Sequence, residues 1–162
     1  MTHTDNNPEQ QFIAVEEMLG RWLKGREKLL RKYTDIVLCT QASLDGAEID
    51  SGQVALGEVI VDYMSAGHFE VFHQLINEAE LFEDGGEKLA ARLIPEISDT
   101  TEFILAYEEK YGAGQEYPAT LERDLSALGE ILESRFELED QLIVGLHSRH
   151  RSKLADARPL PA

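Results

Sequence analysis

Apolar residues recur at three- and four-residue spacing through four long stretches of this chain, and no stretch shows the strict alternation of a half-buried strand. That periodicity restricts the fold to the all-α class. The first stretch, about 9–37, puts Phe12, Val15, Leu19, Trp22, Leu29, Leu30, Tyr33 and Val37 on one broad face. Asp45-Gly46 and Ser51-Gly52 read as a loop. The second stretch, about 54–82, carries Val59, Ile60, Tyr63, Met64, Val71, Leu75 and Ile76, and Glu83-Asp84-Gly85-Gly86 ends it. The third, 87–111, carries Leu89, Leu93, Ile97, Ile104 and Tyr107. Pro95 lies inside it and is expected to kink or restart the helix, because proline removes one backbone hydrogen bond and crowds the preceding turn. Gly112-Ala113-Gly114 closes that segment, and the fourth stretch, about 118–147, repeats Leu121, Leu125, Leu128, Leu132, Phe136, Ile143 and Leu146.

Four amphipathic helices with short Gly/Asp-rich connections predict an up-down four-helix bundle with a kinked third helix, forming one domain over residues 1–147. Residues 148–162 are Arg/Pro-rich without periodicity and read as a flexible, disordered tail. At 162 residues the chain is long enough to bury a substantial core.

Charge narrows the partners. Fifteen Lys and Arg stand against 31 Asp and Glu, a formal net charge of −16. Direct binding to nucleic-acid phosphates is disfavoured, since that affinity rests on basic residues. A basic protein surface is the natural complement, although the charge also serves solubility. Cys39 is the only cysteine, which excludes an internal disulfide and a cysteine zinc site and points to a cytoplasmic protein. The polar N-terminal segment, 1–11, shows no apolar signal core, and no stretch approaches a membrane span.

Within the second helix, the run from Ile60 to Glu70 carries Asp62, Ser65, Gly67 and His68, residues that core packing alone does not select. Helix interiors avoid glycine, which costs about 1 kcal/mol against alanine. Gly67 between Ala66 and His68 therefore indicates a group packed close to the backbone. Three helices also place an ionisable residue in the apolar stripe: Arg26 between Trp22 and Leu29, His68 between Met64 and Val71, and Glu139 between Phe136 and Ile143. Isolated buried charge is costly, so these three are expected to form one buried polar network, with Asp62, Tyr63 and Ser65 able to join it. Placement of one of them at the solvent boundary, with Arg26 snorkelling, is the alternative.

Enzymatic motifs are lacking: no phosphate loop, dinucleotide glycine pattern or nucleophile elbow occurs. A di-iron bundle needs Glu-x-x-His twice, and only Glu70-Val71-Phe72-His73 fits. His147 and His150 lie three apart, near the expected tail. A phosphotransfer role for His68 lacks a nearby cation to receive the phosphoryl group. A binding protein without cofactor or metal is the reading these residues favour, and a bundle with a small-molecule or metal pocket on Arg26, His68 and Glu139 is the alternative.

Three blocks resemble the Rsd/AlgQ family of bacterial anti-sigma factors. They are Arg21-Trp22-Leu23 with Arg26, Leu29, Leu30 and Tyr33; Val61-Asp62-Tyr63 followed by Ser65-Ala66-Gly67-His68-Phe69; and Leu128-Gly129-Glu130, Arg135-Phe136 and Leu138-Glu139-Asp140 with Leu142-Ile143. The chain departs from the family at Gly20, where members tend to carry an acidic residue. The resemblance implies one-to-one capture of the principal sigma factor through its C-terminal, promoter-reading helix-turn-helix domain, without turnover. It also implies a partner-binding surface, expected at Arg21, Trp22, Asp62, Ser65 and Phe69.

Overall fold

The computed structural model describes residues 7–42, 46–111 and 119–157. Among these residues every regular element is helical. Helix α1 spans Pro8–Gln41, α2 Gly46–Ala66, α3 Phe72–Phe82, α4 Gly86–Tyr111, α5 Leu121–Ile143 and α6 His150–Ala157. Short π-helical turns, Gly67–Val71 and Val144–Ser148, join α2 to α3 and follow α5. The chain thus runs as four long rods, two of them widened by a π turn, close to the four expected stretches. Asp45, Gly112-Ala113-Gly114 and Pro118 lie outside the described residues.

Local chemistry accounts for the ends. Asn7 caps α1 by accepting the Glu9 amide at 2.9 Å, and Pro8 stands at the first helical position, where a missing N–H costs nothing. The second rod stops where Glu83 adopts a left-handed conformation (φ 52°) and Gly85 follows at φ 79°. One boundary differs from expectation. Ser51-Gly52 is helical, because α2 begins at Gly46 and Gly52 packs against Ile36, whose Cδ1 would lie 2.6 Å from a Cβ there. Helix α4 continues through Pro95, which is exposed.

One apolar core joins α1 to α5, with Leu29, Ile36, Leu56, Ile60, Leu75, Ile104, Leu128 and Leu142 fully buried. Ile36 takes the inward position expected of Val37, and Leu30 is exposed. Close approach recurs at Tyr33, whose hydroxyl enters the groove over Gly129 and donates to the Leu125 carbonyl at 2.7 Å; a Cβ at 129 would lie 2.3 Å from that oxygen. The α4–α5 junction is tied by Lys110 and Tyr111, which both donate to Asp124, the lysine at 2.7 Å. These bonds hold the Asp124 carboxyl down at about 2, below its ordinary value.

The segment expected as a disordered tail is corrected through residue 157. Its helix α6 is held by His147 and His150, which are buried against acids from α1, α3 and the Asp84 turn. No helix among the described residues is long and apolar enough to cross a membrane.

Candidate functional site: a helical ridge over a locked polar core

Gly67 explains the shape of the site. Its backbone lies against the Trp22 indole, so that a Cβ there would sit 3.0 Å from Trp22 Cζ2 and 3.4 Å from Phe72 Cζ. The inference of a close neighbour holds, and that neighbour is a buried aromatic cluster. Trp22 stacks on Tyr63 at 4.6 Å between centroids and meets Phe72 edge-on at 5.9 Å, while Tyr63 meets Phe136 edge-on at 5.9 Å. Trp22 also donates Nε1–H to the Tyr63 carbonyl at 3.0 Å.

Beneath this cluster lies the polar network, with one member different from expectation. Glu139, fully buried, accepts through Oε1 from the Tyr63 hydroxyl at 2.5 Å and from Arg26 Nη2 at 3.1 Å. Its Oε2 accepts from Arg135 Nε at 3.0 Å. Arg26 reaches on to Asp140 at 2.7 Å and lies 4.7 Å over the Phe136 ring. Arg135, 1% exposed, donates further to Thr100 and Thr101 hydroxyls and the Ile97 carbonyl, at 3.0, 2.7 and 3.3 Å. Two guanidiniums balance two carboxylates, as burial demands. Burial pushes the Glu139 carboxyl above the usual carboxylate range, against the opposing pull of Arg135, Tyr63 and Arg26. Burial and the Glu139 charge together raise the Tyr63 phenol.

His68 is not in this network. Gly67 takes the inward position at that level, and the next residue along a helix is turned about 100° away, so His68 is exposed beside Phe69. Its place is taken by Arg135, which the sequence reading missed. The signal was present in the four-three-four-three spacing of Leu128, Leu132, Arg135, Glu139 and Leu142, which continues one buried stripe through both charges. Among the described residues, no buried side-chain nitrogen or oxygen lacks a partner, and no group of three or more His, Cys, Asp or Glu side chains is arranged to hold a metal.

Above the core, α2 and the π turn form a ridge between two grooves. Arg21, Trp22, Lys28, Asp62 and Glu70 line the groove shared with α1. Val61, Ser65, His68 and Phe69 line the groove shared with α4, opposite Ile94, Glu102 and Leu105. The five expected interface residues are therefore divided. Arg21, Asp62, Ser65 and Phe69 are exposed, the last at 78%, whereas Trp22 at 5% is a core residue with one edge in the first groove. Asp62, Ser65 and Phe69 follow one another at three- and four-residue steps along the ridge, and Val61 and Leu105 add exposed apolar surface beside Phe69.

An exposed, mixed polar and aromatic ridge thus stands on an all-helical scaffold whose interior charges are mutually satisfied. Comparison with known sequences places the chain in a regulatory class. The model described as "Regulator of RNA polymerase sigma(70) subunit, Rsd/AlgQ" matches residues 1–147. Among curated proteins, the chain is similar to the Regulator of sigma D of Yersinia pseudotuberculosis serotype O:1b, 29% identical over 91% of this chain and 90% of that protein. A similar likeness joins it to the Regulator of sigma D of Salmonella paratyphi A, 30% identical over 85% of this chain and 86% of that protein. This chain belongs to the Rsd/AlgQ family, a regulatory family of the sigma(70) subunit and not one of enzymes. No solved structure matches it significantly.

Proposed function

We propose that this chain is an anti-sigma factor that captures the principal sigma factor through its C-terminal promoter-reading domain, one to one, and withholds it from RNA polymerase. The observation that carries the reading is the exposed ridge of Asp62, Ser65 and Phe69, lying within the residues that the family model matches. A helix-turn-helix reads DNA through a positively charged face. A body of net charge −16 is complementary to that face and steers the encounter. Phe69 supplies the aromatic anchor and Asp62 the charge, with Arg21 and the edge of Trp22 across the first groove. The reading takes the four rods as an up-down bundle bent at Pro95, in one cytoplasmic domain, which presents the ridge on a rigid support.

Titration of the full chain against the isolated sigma C-terminal domain tests this. A saturable complex weakened by salt is expected, and Asp62→Lys is expected to weaken it at least tenfold without unfolding the protein. Absence of binding at low salt sinks the proposal.

A further inference from the structure

A second buried cluster uses none of the residues of the Arg26–Glu139 network. Glu78 of α3, fully buried, holds two imidazoles at once: Oε1 meets His147 Nδ1 at 2.6 Å and Oε2 meets His150 Nδ1 at 2.5 Å. The outer nitrogens are also engaged. His147 Nε2 meets Glu16 of α1 at 2.7 Å, and His150 Nε2 meets Asp84 of the turn before α4. Phe12 stacks on His147 at 4.3 Å and Phe82 on His150 at 3.8 Å, so both rings are also clamped from the side.

Counting protons decides what this chain of five side chains must be. An ionised carboxylate only accepts, and a neutral imidazole donates from one nitrogen only. Four nitrogen–carboxylate contacts need four protons, which two neutral rings cannot supply. Both rings must therefore be imidazolium, unless a buried carboxyl is protonated instead. Further cations and a backbone donor face the same carboxylates. Arg149 and Lys153 face Asp84, Arg151 reaches Glu16 at 2.6 Å, and from α4 the Gly86 amide donates to Asp84. Three carboxylates thus receive five cationic side chains from the segment 147–153 when both rings are charged, and three when neither is.

We propose that α6 is held by a proton-gated clasp, closed while the four nitrogen–carboxylate contacts keep their four protons and released as His147 loses its charge. The proposal stands independently of the sigma-binding reading. Burial works against the charge on His147, but its hydrogen bonds to Glu78 and Glu16 outweigh that cost and hold its pKa above the ordinary imidazole value. Hydrogen bonding from His150 and Arg149 likewise overcomes burial and holds the Asp84 carboxyl well below the usual range. A raised imidazole pKa means that the contribution of His147 is complete below about 6.5, the ordinary value, and is lost as pH rises through its folded-state value. Release bares Glu78, Asp84 and the rings of Phe12 and Phe82 beside the exposed Glu16, an acidic and aromatic face. The family match ends at residue 147, so His150 and α6 lie beyond the part of the chain that it covers.

Ring-nitrogen NMR of the full chain between pH 6 and 9.5, with amide exchange followed in parallel, tests the clasp. At pH 7 the His147 ring is expected to carry protons on both nitrogens. Its deprotonation is expected to coincide with at least a tenfold fall in protection of α6 amides, while those of Leu125–Leu142 hold. A neutral tautomer of His147 at pH 7, or α6 protection that ignores its titration, overturns the proposal. His147→Gln is expected to abolish most of the pH dependence; if that variant does not fold, the wild-type titration alone decides.

Discussion

The Trp22 indole lies flat on the Tyr63 ring, 4.6 Å between centroids and 3° from parallel, and donates Nε1–H to the same residue's carbonyl at 3.0 Å. One tryptophan thus fixes both the side chain and the backbone of Tyr63, the residue that carries Glu139 below and flanks Asp62 above. Trp22→Phe keeps an aromatic ring but loses the donor and part of the stack. It is expected to cost about 1–3 kcal/mol in urea unfolding, and to weaken partner binding mainly through that loss.

Phe69 should behave in the opposite way. At 78% exposure it contributes little to the fold, so Phe69→Ala is expected to leave stability within about 0.5 kcal/mol. If it anchors the partner, the same change costs about 2 kcal/mol or more of binding. Isothermal titration beside thermal denaturation separates the two effects.

Glycines on the rods give a paired test. A Cβ at Gly67 meets the Trp22 ring at 3.0 Å, whereas one at Gly20 meets nothing within 4 Å. Gly67→Ala is expected to destabilise by about 1–3 kcal/mol through overpacking and to shift the tryptophan emission. Gly20→Ala is expected to stabilise by about 0.5–1 kcal/mol through helix propensity alone. Chemical denaturation of both variants reads the sign.

Arg135 is the charge whose removal should cost most. Arg135→Met leaves Glu139 buried with fewer donors, and breaking such a pair costs about 3–5 kcal/mol. Adding Glu139→Leu to it is expected to recover part of that loss, as a double-mutant cycle on Tm measures.

Acid stability should report on Asp124. Its carboxyl is held at about 2 by hydrogen bonds from Lys110 and Tyr111. A lowered carboxylate pKa contributes stability that is complete above the ordinary value near 4 and is lost as pH falls toward about 2. Asp124→Asn is expected to flatten the stability profile between those limits, measured by urea midpoints at each pH.

How much of this was legible depends on whether the relevant partner was near in sequence or in phase. The helical class and four stretches followed from periodicity, because each is a local property of spacing, and close packing at Gly67 followed from the cost of a glycine inside a helix. Pairing of Arg26 with Glu139 was also readable, since each sat alone in an apolar stripe. His68 was misplaced because a polar residue at the edge of a stripe cannot be told from one inside it by spacing, and the glycine beside it took the inward site. His150 was read as part of a tail, and His147 as the last residue of the fourth stretch, because nothing local marks their partners. Their carboxylates lie between 66 and 131 residues away along the chain, and only the folded bundle brings them together.

The phenol of Tyr33 occupies the space that a side chain at Gly129 would need. Tyr33 in this pose is thus tolerable only because position 129 lacks a side chain, which couples the choice of residue at the two positions. Relatives that enlarge position 129 should have shed the tyrosine at 33, and a screen randomising both positions should return correlated survivors where single libraries return almost none.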